Sequence, residues 1–145
     1  VAAGQIPLVL MHSRGNPQNM QTLTQYDHLV EDILSFFSER CNQARDCGVM
    51  DIIVDPGFGF AKTVEQNFAL MRELHRFDVL NRAVLVGISR KSMIYKTLNT
   101  DAPGALNGTT ALHMIALQKG AHILRVHDVQ PALECIALHQ RLQVS

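Results

Sequence analysis

Apolar residues gather in four short, nearly unbroken runs along the chain, at 7–11, 52–54, 83–88 and 122–124. Runs of this length without alternation predict strands buried on both faces. Each run breaks abruptly into polar or charged residues. They are His12-Ser13-Arg14-Gly15, Asp55-Pro56-Gly57-Phe58-Gly59-Phe60, Ser89-Arg90-Lys91-Ser92 and Arg125-Val126-His127-Asp128. Between the runs, apolar positions recur at helical spacing. Leu29, Ile33, Phe36, Phe37 and Ala44 form one stripe, stopped by Gly48. Val64, Phe68, Met71 and Leu74 form a second, opened by a Thr63–Gln66 capping box. A short amphipathic stretch at 91–98 and a loop at 99–106 precede a third crossover helix at 108–119, closed by Gly120. Pro131 suits the first turn of a last helix that turns Leu133, Ile136 and Ala137 inward.

The predicted strands are 7–11, 51–54, 83–88 and 122–126, and a helix follows each. Crossovers of this length force parallel neighbours, so the fold class is α/β. Two architectures fit four consecutive β/α units. One is an open doubly wound sheet. The other is half of a (β/α)8 TIM barrel, since a whole barrel needs about 250 residues. In both, the residues that interrupt the runs collect at the carboxyl ends of the strands, where such folds carry their sites.

Bulk properties narrow the field without choosing a chemistry. The chain has 145 residues, 47% hydrophobic and 18% charged, as in one ordinary globular domain. Its formal net charge is zero, which argues against a broad nucleic-acid footprint. No apolar stretch approaches the ~20 residues of a membrane span, and no signal-peptide pattern opens the chain. Cys41, Cys47 and Cys135 are odd in number and lack metal-ligand spacing. They read as reduced thiols of a cytoplasmic protein, and their place in predicted helices argues against a catalytic cysteine. His28, His75, His113, His122 and His139 share no ligand-like spacing, so no metal cluster is expected within the chain. The chain begins at Val1 rather than Met, which suggests a mature fragment, a cleavage product or a partial gene.

The interrupting residues carry specific chemistry. An aspartate ending a buried strand is expensive unless something binds it. The Asp55 carboxylate suits two parallel hydrogen bonds from an amino-pyrimidine edge; the alternative is that it caps its own loop, with the phenylalanines in the core. The glycines after it, Gly59 among them, let the backbone turn sharply and approach a ligand. Phe60 can stack on an aromatic ring. A P-loop reading of 57–63 fails, because Ala61 stands where a glycine must precede the lysine. Lys91 can reach over the strand ends as a mobile point charge, with Ser92 adding anion affinity at a helix start; the alternative is a solvated basic turn. Arg125 and His127, two apart on a strand, point the same way. A phosphate or pyrophosphate would satisfy both, and the alternative partner for Arg125 is an internal carboxylate. Met11 offers a soft apolar wall to a planar ring, while His12 and Arg14 are either structural or ligand-facing.

Taken together, the segments Leu10-Met11-His12-Ser13-Arg14-Gly15, 55–63, Ser89-Arg90-Lys91-Ser92-Met93-Ile94 and Arg125-Val126-His127-Asp128-Val129 resemble dihydropteroate synthase over the whole chain, in order and spacing. The resemblance implies the C-terminal half of a (β/α)8 barrel, a single partial pterin-binding domain over 1–145. It implies a transferase of folate synthesis, the target of sulfonamides. That reaction joins 6-hydroxymethyl-7,8-dihydropterin pyrophosphate to 4-aminobenzoate and releases pyrophosphate. Carried over by motif, Asp55 and Lys91 are the catalytic pair. Met11, Asp55, Gly59, Phe60, Lys91 and Ser92 bind substrates, and Arg125 and His127 bind the pyrophosphate. Mg2+ assists, with its ligand in the family's N-terminal half and none in this chain, and the intact protein is a homodimer. Ala61 and Ser13 depart from the family's usual glycine and methionine. The competing expectations are a catalytically silent half-barrel and a pterin- or anion-binding module.

Overall fold

The Thr63 hydroxyl accepts a hydrogen bond from the Gln66 amide at 3.2 Å, and the Gln66 side chain accepts one from the Thr63 amide at 2.9 Å. The expected capping box therefore opens the second major helix. This is seen in a computed structural model that describes residues 1–143. Strands β1 (Leu8–Met11), β2 (Ile52–Asp55), β3 (Ala83–Val86) and β4 (Ile123–Leu124) alternate with helices. The helices are α1 (Leu29–Asp46), α2 (Val64–Arg72), α3 (Ser92–Thr97), α4 (Leu106–Gln118) and α5 (Val129–Gln143).

All neighbours are parallel, and the spatial order is β1-β2-β3-β4. That order discriminates between the two architectures. A doubly wound sheet reverses its strand order to place helices on both faces. Here the order never reverses, so right-handed crossovers put every helix on one side. The helix side is the core: Ile52, Val54, Val84 and Val86 pack against Ile33 and Phe37 of α1, Leu70 and Met71 of α2, and Met93 and Ile94 of α3.

The opposite face is open. Register places Val9 beside Ile53, Ile53 beside Ala83, Met11 beside Asp55 and Leu85 beside Ile123. Val9 is 47% exposed, Met11 39% and Ile123 36%. The expectation of strands buried on both faces is thus corrected for this chain: among the described residues nothing covers the second face.

Several boundaries also differ. Strand β3 stops at Val86 rather than residue 88, and β4 is two residues rather than five. Only the pairs Leu85–Ile123 and Val86–Leu124 join them in register. Helix α4 starts at Leu106, two residues early, because Pro103–Ala105 form a 3-10 turn that feeds it. A 3-10 segment at Leu74–Leu80, not expected from the pattern, buries Leu74 and Phe77 under the sheet. On α2 the buried residues are Asn67, Leu70 and Met71, with Val64 and Phe68 only half-buried. On α5 the inward residues are Ala132 and Cys135, whereas Leu133 and Ala137 face outward.

Candidate active site

The four interrupting segments do meet at the carboxyl end of the sheet. Asp55 closes β2 and is only 8% exposed. Its Oδ1 accepts a hydrogen bond from the Gly57 amide at 2.8 Å. The loop-capping alternative therefore accounts for one carboxylate oxygen, and Oδ2 makes no hydrogen bond with the described residues. Burial raises the Asp55 carboxyl above its ordinary range, opposed by the Gly57 amide and the Lys91, Lys62 and Arg125 charges.

The loop after Asp55 divides its aromatic residues. Phe58 is fully buried, while Phe60 stays half-exposed at the mouth. Lys91 lies across this loop. Its Nζ donates to the Phe58 carbonyl and sits 4.6 Å from the centroid of the Phe60 ring. Gly59 makes this crossing possible, since a Cβ there would stand 3.1 Å from Lys91 Cδ. Burial holds the Lys91 ammonium below its ordinary value, countered by Asp55. Ser92 opens α3 beside it.

Gly87, Ser89, Lys91, Arg125, Val126 and His127 line a cleft of about 120 Å³. Arg125 and His127 lie beyond the end of β4 and are exposed. The expectation of an arginine inside a buried strand is therefore corrected. Arg125 makes no ion pair among the described residues, so the alternative of an internal carboxylate partner is not what the structure shows. The two basic side chains remain free for an anion.

The neighbouring Arg90 is committed elsewhere. It grips Asp128 with two bonds, Nε to Oδ2 at 2.7 Å and Nη2 to Oδ1 at 2.9 Å, and donates to the carbonyls of Ala102 and Pro103. Ser89 Oγ accepts from the His127 amide at 3.2 Å. In Ser89-Arg90-Lys91, then, the first two residues fix the β4 loop and the third reaches the site.

Sequence reasoning missed Lys62 and Asn67. Asn67 is 2% exposed, and its side chain holds the Gly59 amide at 2.7 Å and the Thr63 carbonyl at 2.7 Å. An asparagine on the apolar stripe of a helix was the available signal. The Lys62 ammonium is 3% exposed and bonds to His12 Nδ1 at 3.1 Å and to the carbonyls of Gly57 and Phe60 at 3.0 Å each. His12 is likewise buried and structural, edge-on to Phe36. Arg14 is structural as well, stacked 3.8 Å over Tyr26 and paired with Asp32. Ala61 has φ +50°, the left-handed region that favours glycine, which costs about 1–2 kcal/mol. Complete burial of its methyl offsets about 0.8 kcal/mol of this. Nothing in the structure explains Ser13.

Two buried bases predict how stability varies with pH. Burial, with the charges of Lys62 and Arg14, lowers the His12 imidazole from 6.5 to about 3. Between those values the unfolded chain binds the proton and the folded chain does not, so acid favours unfolding. Lys62 acts alike between about 7 and 10.5, again because burial disfavours its charge. Asp55, which burial raises above 3.8, acts in the opposite sense. Urea unfolding is thus expected to show stability falling steadily from pH 6.5 to 4, and a His12→Gln chain is expected to lose part of that slope, the remainder coming from His113, which burial lowers in the same sense.

A one-sided parallel β/α sheet with its charged residues gathered at the strand ends has the architecture of a β/α-barrel protein. The family described as "Pterin binding enzyme" matches residues 1–127, and the chain belongs to that family. It is 39% identical over 133 residues to dihydropteroate synthase of Escherichia coli K12, covering 90% of this chain and 47% of that protein. With dihydropteroate synthase of Synechocystis it shares 48% over 132 residues, covering 89% and 46%. The crystal structure of Yersinia pestis dihydropteroate synthase with a sulfonamide drug complex superposes with TM-score 0.95 at 35% identity, over 98% of this chain and 53% of that one. Thermus thermophilus dihydropteroate synthase in complex with 6HMPPP gives 0.94 at 34%, over 99% and 58%. The chain thus spans about half the length of the curated relatives it matches.

Proposed function

We propose that the protein containing this chain is a dihydropteroate synthase, and that these four β/α units form one half of its active-site barrel. The observation that carries this reading is the half-committed Asp55. One oxygen is held by Gly57 and the other is free beside Met11, which suits the amino-pyrimidine edge of a pterin. Phe60, Gly59 and Ser92 line the route of 4-aminobenzoate, and Lys91 lies between the two substrates.

The chemistry follows from the charges. The C–O bond between the pterin methylene and the pyrophosphate breaks, and its electron pair leaves with the pyrophosphate. Arg125 and His127 stabilise that developing charge. Asp55 stabilises the positive charge delocalised over the pterin. The 4-aminobenzoate nitrogen then forms the C–N bond and loses a proton, giving 7,8-dihydropteroate. No covalent enzyme intermediate is needed.

The Mg2+ that the resemblance implies would take its protein ligand from outside this chain, since Mg2+ uses few protein ligands beside substrate phosphates. No group of three His, Cys, Asp or Glu side chains able to hold a metal occurs among the described residues. Asp128 is held by Arg90, and Asp55 is partly committed to Gly57. No step is therefore assigned to the metal. The reading extends to a homodimer of the intact protein. Sedimentation velocity of the intact protein decides that point. No described helix is long and apolar enough to cross a membrane.

The test is incubation of the intact protein with 6-hydroxymethyl-7,8-dihydropterin pyrophosphate and 4-aminobenzoate. Formation of 7,8-dihydropteroate and pyrophosphate is the expected result. Pterin binding without pyrophosphate release would make the protein a binding module instead.

A further inference from the structure

Lys62 is the most deeply buried charge at the strand ends, and the reaction described above does not use it. Its three ammonium donors meet three acceptors: His12 Nδ1, the Gly57 carbonyl and the Phe60 carbonyl. Donor capacity and acceptors match, so the group is fully satisfied. Gly57, which joins two peptide units, is the point of interest. Its carbonyl is held by Lys62, while its amide donates to Asp55 Oδ1. The Cα between them also lies close against β1, since a Cβ on Gly57 would stand 1.9 Å from the His12 carbonyl oxygen.

We propose that Lys62 is a positioning residue for Asp55: its ammonium holds the Gly57 carbonyl and so fixes the backbone torsions of Gly57, the amide on the other side of that residue is thereby aimed at one carboxylate oxygen, and the other oxygen is left for the ligand. The same ammonium anchors the Phe60 carbonyl, so carboxylate and aromatic wall share one pin. Lys62 touches no substrate in this arrangement.

The charges around the pin agree with that role. Asp55 favours the charged form of Lys62, whereas burial, Lys91 and Arg14 disfavour it, and the ammonium falls to about 7. His12 faces it as a neutral acceptor, because burial and the Lys62 charge suppress imidazole protonation. Asp55 in turn faces Lys91, Lys62 and Arg125. Tyr26 closes the outer side by donating to the Ala61 carbonyl at 2.9 Å.

The inference rests on Asp55 being the pterin carboxylate, but its test does not need turnover. In the Lys62→Met protein, the Asp55 carboxyl followed by 13C NMR is expected to titrate at higher pH, because a neighbouring positive charge is gone. The Gly57 amide is expected to exchange with solvent about tenfold faster or more, while the Val54 amide stays protected. A general loss of stability would move both amides together. If Lys62→Met folds and neither the Asp55 midpoint nor Gly57 exchange changes, the proposal fails. Should that variant not fold, the unaltered protein decides. The Lys62 15Nζ signal and the Gly57 amide must then shift together in one step near pH 7, and a Gly57 amide indifferent to that step overturns the proposal. Failure of the pterin reading shows separately, as unchanged fluorescence of 6-hydroxymethylpterin titrated with the unaltered protein.

Discussion

Lys91→Ala is expected to lower kcat/KM for dihydropteroate formation by the intact protein about 10²–10³-fold or more, the cost of removing a positioned charge from a reacting site. The side chain spans the Asp55 loop, contacts the Phe58 carbonyl and lies over the Phe60 ring. Its loss removes a cation beside Asp55 and opens the floor between the two substrates. Lys91→Arg is not expected to restore activity, because a planar fork cannot replace a compact ammonium under the Gly59 turn. Steady-state kinetics on both variants check this, with circular dichroism confirming the fold. Activity of Lys91→Ala near that of the unaltered protein would remove Lys91 from the site.

Gly57→Ala is expected to be the most damaging small substitution for stability, at about 3 kcal/mol or more. Two costs add. At φ +73° a Cβ is disfavoured whatever surrounds it, and here it would overlap the His12 carbonyl oxygen at 1.9 Å. That oxygen is backbone and cannot rotate away. The two-residue link from Asp55 to Gly57 must then shift, taking the Asp55–Gly57 hydrogen bond with it. Urea denaturation of the two chains measures the loss, and an unchanged midpoint would mean that β1 and the Asp55 loop are not in close contact.

Asp55, Lys91, Arg125 and His127 could be singled out in the sequence for a common reason. Each ends or follows an apolar run, where a charged side chain has few structural duties. The bend of the loop back over Lys62 could not be seen in this way. A lysine after a glycine-rich turn looks solvated, and its burial depends on His12, fifty residues earlier. The division of labour between Arg90 and Lys91 was equally hidden, because it depends on where Asp128 lies. Strand ends were overextended for a related reason: apolar residues continue past Val86, but the two-residue β4 offers no further partners. The last helix misled through composition. Leucine at 133 implied burial, yet the buried residues of α5 are the small Ala132 and Cys135, and the Cys135 Sγ reaches the Thr110 carbonyl of α4. Element order alone leaves open sheet and barrel level; the strand-end motifs favour the half-barrel, and the spatial strand order agrees with it.

The loop contacts fall into two sets. The loops after β1 and β2 are clasped by Tyr26–Ala61, Gln66–Thr24 and Lys62–His12. Those after β3 and β4 are clasped by Arg90–Asp128 and Ser89–His127. Among the described strand-end side chains, Lys91 is the one that hydrogen-bonds across from the second set to the first. Inheritance should reflect that grouping: substitutions within one clasped pair of loops will need matching changes in that pair, while the two pairs drift independently and meet at a single lysine that neither can replace.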